Sequence, residues 1–195
     1  MKKLLLLLLL ALNGCKSINT EFSVENSIVT NKDTIAVFKI EDDKEGTQVF
    51  TRPYRINGDG SISDFMQFND FDYATLMESK GYFVVQYKKP LSKNVRQIFS
   101  SIGFKAGDKI EHYNYGLCVS KKVFGYKASS QGVHLVGKLY LNGNARGVRY
   151  SMDSFSDDEI SEIKELFPNI PLDNYHTSTI QEYESHFSCT TTIYI

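Results

Sequence analysis

The sequence predicts an α+β fold: one domain over residues 34–195, built on a mostly antiparallel sheet with two to four helices. Three observations predict it. Short runs rich in β-branched and aromatic residues recur along the chain, separated by Gly- and Asn-containing turns. Ser156-Asp157-Asp158-Glu159 is a capping box followed by an apolar stripe at helical spacing. The chain has 195 residues, 42% hydrophobic and 13% aromatic, enough to bury one core.

The elements follow in order. Residues 34–40 (Thr-Ile-Ala-Val-Phe-Lys-Ile) read as a buried strand, residues 41–46 as a charged turn and residues 47–51 as a second strand. Asn57-Gly58-Asp59-Gly60 is a turn, because Gly and Asn tolerate positive φ. Its oxygens do not make a calcium loop: neither frame puts Gly at position 6 and Glu at position 12. Residues 72–80 are helix-compatible and end at Gly81, a suitable residue just past a helix. Residues 82–87 (Tyr-Phe-Val-Val-Gln-Tyr) form the clearest strand. Ser92 is placed to cap a helix through Ser101, with Val95, Ile98, Phe99 and Ile102 on one face and Gly103 as its end.

Residues 109–152 read as mostly β, with strands over 117–126, 133–141 and 147–152. Asn142-Gly143 is a hairpin signal. In the helix after Ser156, Ile160, Ile163, Leu166 and Phe167 form the core-facing stripe, and Pro168 and Pro171 end it. Ser178-Thr179-Ile180-Gln181 is placed to cap a short helix through His186, and residues 190–195 read as a last strand.

The first residues read as an address. Lys2 and Lys3 precede seven consecutive leucines, Leu4 to Leu10, and then Ala11-Leu12-Asn13-Gly14-Cys15. A positive start, a short apolar run and a small residue before a cut are the parts of a secretory signal. Leu12, Gly14 and Cys15 stand where the bacterial lipoprotein signal has its Leu, its small residue and its invariant Cys, and the segment resembles that signal. The resemblance covers residues 1–15. It implies cleavage after Gly14, attachment of palmitate-type acyl chains at Cys15 and retention of the protein at a membrane. By the same resemblance, to the sorting rule of enteric bacteria, Lys16 rather than Asp after the Cys implies the outer membrane, with the domain in the periplasm or at the cell surface. More than one acyl chain anchors stably, at about 0.8 kcal/mol per buried CH₂. Residues 16–33 are polar and read as a short tether.

Charge and motifs exclude several functions. The full chain carries 22 Lys+Arg against 23 Asp+Glu. Without residues 1–14 the balance is 20 against 23, a charge of −3. Nucleic-acid binding normally shows a basic excess, so it is not expected. No apolar run approaches the roughly 18 residues of a membrane-crossing helix. There is no phosphate-binding Gly-rich loop and no nucleophile elbow. There is also no C-x-x-C or H-E-x-x-H, and neither a metal nor a cofactor is expected.

The remaining candidates are few. Cys118 and Cys189 are a candidate disulfide for an oxidising compartment, closing a loop of about 70 residues worth about 3–4 kcal/mol. Cys118 with His112 or His134 as its base is the candidate pair for nucleophilic catalysis, while His176 and His186 are too far apart for one helical face. Tyr113 and Tyr115, alternating with Asn114 and Gly116, are a candidate recognition loop, since Tyr favours interfaces; packing at a strand end is the plainer reading. Together these features favour a membrane-anchored, non-enzymatic module that binds another protein, as an envelope assembly subunit or an immunity protein against a toxin. The alternatives are a small thiol- or His-dependent hydrolase and a carrier of a small apolar ligand.

Overall fold

β1 (Thr34–Asp42) sets the layering, because its side chains are buried on both faces. Ile35 and Val37 join one apolar cluster, and Ala36, Phe38 and Ile40 join another. A strand buried on both faces reads as a continuous apolar run, which is why the sequence exposes it. A computed structural model describes residues 33–44, 46–65, 75–87, 90–113, 122–144 and 147–185.

The other strands are β2 (Gln48–Ile56), β3 (Ile62–Phe65), β4 (Thr75–Ser79), β5 (Tyr82–Tyr87), β6 (Val95–Ala106) and β7 (Lys109–His112). They continue with β8 (Lys122–Tyr126), β9 (Gly132–Asn144) and β10 (Gly147–Asp153). After α1 (Asp157–Leu166) come β11 (Tyr175–Thr177) and β12 (Gln181–Glu184). The first sheet has the order β10-β9-β1-β5-β4, with β11 also on β9. The second has the order β12-β8-β6-β2-β3, with β7 also on β6. Strand pairing is antiparallel except for β1 with β9 and β11 with β9.

The sheets pack face to face. Phe38 of the first lies 4.9 Å from Phe99 and 5.7 Å from Tyr126 of the second, and 5.3 Å from its own neighbour Phe83. Within that core the hydroxyls of Tyr87 (β5) and Tyr126 (β8) meet at 2.8 Å. On the other face of the first sheet, Ile163 of α1 and Phe167, which caps its C-terminal end, pack with Ile35, Val37, Val84 and Leu135. The far face of the second sheet holds a smaller cluster, including Tyr54, Ile98, Val123 and Tyr183.

The expected α+β class with two to four helices is therefore corrected. The molecule is mostly β, in two sheets, with a single α-helix among the described residues. Three helical expectations become strands. Residues 92–101 fall largely in β6, where Phe50 pairs Ser101 but Thr51 pairs Phe99, so Ser100 is an extra, bulged residue. The bulge makes Phe99 and Ile102 face the same core although they are three apart. Ile98 is buried too, but in the cluster on the opposite face. A bulged strand covered on both sides thus imitates helical spacing. Gly103 ends no helix; it lies within β6, opposite His112 of β7.

Residues 75–79 form β4, and Lys80 and Gly81, with φ of 51° and 78°, make its two-residue turn into β5. Positive φ at both central residues is what a tight hairpin turn requires, so Gly81 acts in a hairpin and not past a helix. The segment after Ser178 contributes β12, held by β8, in place of a capped helix.

Other readings stand. The strands over 34–40, 47–51, 82–87, 133–141 and 147–152 and the 57–60 turn are present. The capping box is formed, and α1 ends at Leu166 just before Pro168. The hairpin signalled by Asn142-Gly143 exists, but both residues lie inside β9, and the chain reverses after Asn144. The signal segment, the tether up to residue 32, most of the 113–116 loop and the strand expected over 190–195 lie outside the described residues.

Candidate functional site

The helix cap organises one end of the first sheet's outer face. The Ser156 hydroxyl accepts from the Glu159 amide, and the Glu159 carboxylate accepts in return from the Ser156 amide at 2.9 Å. This fixes Glu159 over the sheet, where Lys138 of β9 reaches it at 2.9 Å and Lys39 of β1 at 4.0 Å. Burial pushes the Glu159 carboxyl up, but its hydrogen bonds with Ser156 and Lys138 outweigh that and hold it below the usual range. Lys39 also lies 4.6 Å from the Tyr82 ring centre, and the Tyr82 hydroxyl donates to Glu162 at 2.8 Å. Burial first, and then the Glu162 carboxylate, push that phenol upward. This seam docks the start of α1.

Beyond the seam no described element covers the sheet. An open cleft of about 450 Å³ lies there, lined by Glu41, Asp43, Tyr140, Asn142, Arg149 and Ser151 among others. Its acids are largely engaged. Glu41 pairs with Lys39 at 2.6 Å, and Asp43 with Lys44 at 3.0 Å. Asp42 accepts from Thr47 at 2.8 Å and from Tyr113 at 3.1 Å. Arg149 is exposed, and no carboxylate among the described residues lies within ion-pair distance of it.

Arg149 belongs to β10, which ends the first sheet. Six of its seven residues are exposed. No described strand pairs with its outer edge along the residues that pair with β9. Tyr150 and Met152, 40% and 39% exposed, share one face of it. Tyr150 packs edge-on against Phe124, 4.5 Å between ring centres, and its hydroxyl donates to Glu182, which also pairs with Lys122 at 2.7 Å. Tyr, Met and Arg are the residue types that interfaces concentrate. In chemical terms, the cleft and edge offer aromatic and thioether surface and, among the described residues, a guanidinium with no carboxylate partner and a strand edge with no neighbouring strand.

The histidines are dispersed. His112 lies on β7, where Nδ1 is 2.8 Å from the Ser101 hydroxyl. His134, 4% exposed, stands in register with His176 across β9 and β11, 4.9 Å between ring centres. His134 Nε2 is 3.0 Å from the Ser130 carbonyl, which can only accept, so that nitrogen carries the proton. Nδ1 lies 3.3 Å from the Ser178 hydroxyl, which also reaches the Lys127 carbonyl at 3.2 Å. Burial pulls the His134 imidazole below its ordinary value, and the neighbouring His176 adds to this. No group of three or more potential metal ligands occurs among the described residues.

The structure turns Tyr113 inward. It is 1% exposed, 4.8 Å from the Phe104 ring and bonded to Asp42, so its side chain belongs to the core, as strand-end packing anticipates. Tyr115, Cys15, Cys118, Cys189 and His186 lie outside the described residues, so no Cys–His geometry is defined. Sequence reasoning gave no functional role to Arg149, Tyr150 and Met152 and read Ser178 only as a helix cap. The strand over 147–152 was legible, but only strand order shows that it is an edge. No helix among the described residues is long and apolar enough to cross a membrane. No protein-family model, no curated protein and no solved structure matches this chain.

Proposed function

We propose that this chain is a lipid-anchored protein of the bacterial envelope, at the outer membrane, that acts by binding protein rather than by catalysis, as an assembly subunit or an immunity protein. The observation that carries the binding role is the β10 surface: Arg149, Tyr150 and Met152 are exposed on an edge that no described strand pairs, beside a cleft. Strand edges take up partners through backbone hydrogen bonds while side chains set specificity. The anchoring rests on Cys15 and the residues before it.

The test has two arms. Cys15→Ser should move the protein from the membrane to the soluble fraction; unchanged membrane retention refutes the anchor. The soluble Cys15→Ser protein should capture a stoichiometric partner from envelope or secreted proteins, or a tagged copy of itself. Tyr150→Ala with Met152→Ala should abolish that capture, and capture at the unmodified level refutes the assigned surface.

One observation favours a second reading, a His-dependent hydrolase. Ser178, His134 and the Ser130 carbonyl line up as a hydroxyl, an imidazole and an orienting acceptor. Turnover of model esters that Ser178→Ala abolishes would establish it; equal rates in both proteins discard it.

A further inference from the structure

We propose that β10 is the seat of a symmetric dimer, in which two copies of this chain join edge to edge by antiparallel pairing of β10 with β10. The inference rests on the binding role assigned above and names the occupant of the edge. Its argument is self-complementarity.

The pairing of β10 with β9 is regular from Gly147 to Asp153. Alternate residues therefore keep to one face: Arg149, Ser151 and Asp153 on one, Tyr150 and Met152 on the other. A two-fold axis through Ser151 sets Arg149 of one copy opposite Asp153 of the other, twice. It also sets Tyr150 opposite Met152, twice. Directly opposed residues in an antiparallel pair are the ones whose side chains interact. Oppositely charged residues and sulfur–aromatic pairs both stabilise such a pairing.

Each contact answers something the single chain leaves open. Arg149 has no carboxylate partner among the described residues, and the dimer supplies one. Tyr150 and Met152 are two of the four exposed large apolar side chains among the described residues, and the dimer covers them. An unprotected edge otherwise invites uncontrolled strand addition. A closed two-fold pairing consumes the edge and stops there. The interface is small, so association in free solution is weak, and confinement of both anchors to one membrane raises the effective concentration.

The experiment uses the full chain in its membrane. In this register Ser151 faces its own copy, with Cα atoms about 4.5–5.5 Å apart, which a disulfide spans. Ser151→Cys should therefore give a reducible cross-linked dimer well above the background of the unchanged chain. Gly147→Cys, placed at the far end of the strand from the axis, should not. Arg149→Asp and Asp153→Arg should each cut cross-linking of Ser151→Cys by about ten-fold or more, since like charges then face each other. The charge swap carrying both changes should restore it.

Equal cross-linking through Gly147→Cys, or failure of the swap to restore it, overturns the register and the proposal. So does hydrogen exchange showing the β10 amides protected to the same extent in monomer, because the edge is then filled by the chain itself. A monomeric chain that captures a different protein through Tyr150 and Met152 overturns the dimer and leaves the binding role standing. Loss of both cross-linking and capture overturns both.

Discussion

The hydroxyl pair between the sheets allows a test of how the two layers are joined. Tyr87 and Tyr126 are 4% and 0% exposed, and their oxygens are 2.8 Å apart. Burial raises both phenols well above their ordinary value, so both stay protonated over the working pH range. Tyr126→Phe removes one oxygen without opening a cavity. It leaves the Tyr87 hydroxyl buried with no described partner, which costs about 1–3 kcal/mol. Tyr87→Phe should cost about the same for the same reason.

Replacing both removes the stranded group. One hydroxyl of the pair must accept, and its own proton finds no other described partner, so the native pair is not fully satisfied either. The double variant should therefore lie within about 1 kcal/mol of the unchanged protein. The coupling between the two substitutions should exceed the roughly 0.3–0.5 kcal/mol that separates coupled from independent sites. Urea unfolding followed by far-ultraviolet circular dichroism measures all four proteins; the chain has no Trp to report by fluorescence. Additive costs across the cycle would refute the inter-sheet hydrogen bond.

Four further outcomes are expected. Gly137 has φ of 103°, and a Cβ there would lie 2.4 Å from the Asp153 carbonyl, so Gly137→Ala should cost at least about 3 kcal/mol or prevent folding. Gly147→Ala meets open space and should change the urea midpoint little, within about 0.5 kcal/mol. Ser156→Ala removes the helix cap and should cost about 1 kcal/mol, read from thermal unfolding; no measurable change would refute the capping role. His134 has a lowered value in the folded protein, so on acidification the unfolded chain takes up its proton first. Stability is thus unaffected above the unfolded value near 6.5 and falls as pH drops from there toward the folded value. Urea midpoints at pH 7.5 and 5.5 should differ in the native protein and differ less in His134→Gln; an equal drop in both excludes His134 as the cause.

Much of the strand content was legible because it needs only local chemistry. Thr34 to Ile40 and Tyr82 to Tyr87 are mostly β-branched or aromatic, the composition that suits a strand. The capping box was legible for the same reason: Ser156 and Glu159 satisfy each other within one turn. Gly81 was a sound punctuation mark, but Gly serves equally past a helix and inside a hairpin.

The misreadings share a cause. Val95, Ile98, Phe99 and Ile102 mimic a helix because a bulge at Ser100 shifts the phase of the strand and a second cluster buries Ile98 from behind. Neither the bulge nor the second cluster is a property of residues 92–101; both come from partners far along the chain. The candidate site was hidden in the same way. The residues of β10 announce a strand, yet whether that strand lies in the middle of a sheet or at its end depends on what pairs with β9 and what does not. The sequence alone determined several of the strands, among them those over 34–40 and 82–87, where α1 begins and the signal that points to a membrane anchor. Tertiary structure alone decided strand order, the two-sheet packing and the open edge, because hydrogen-bond pairing between distant segments carries no local signature.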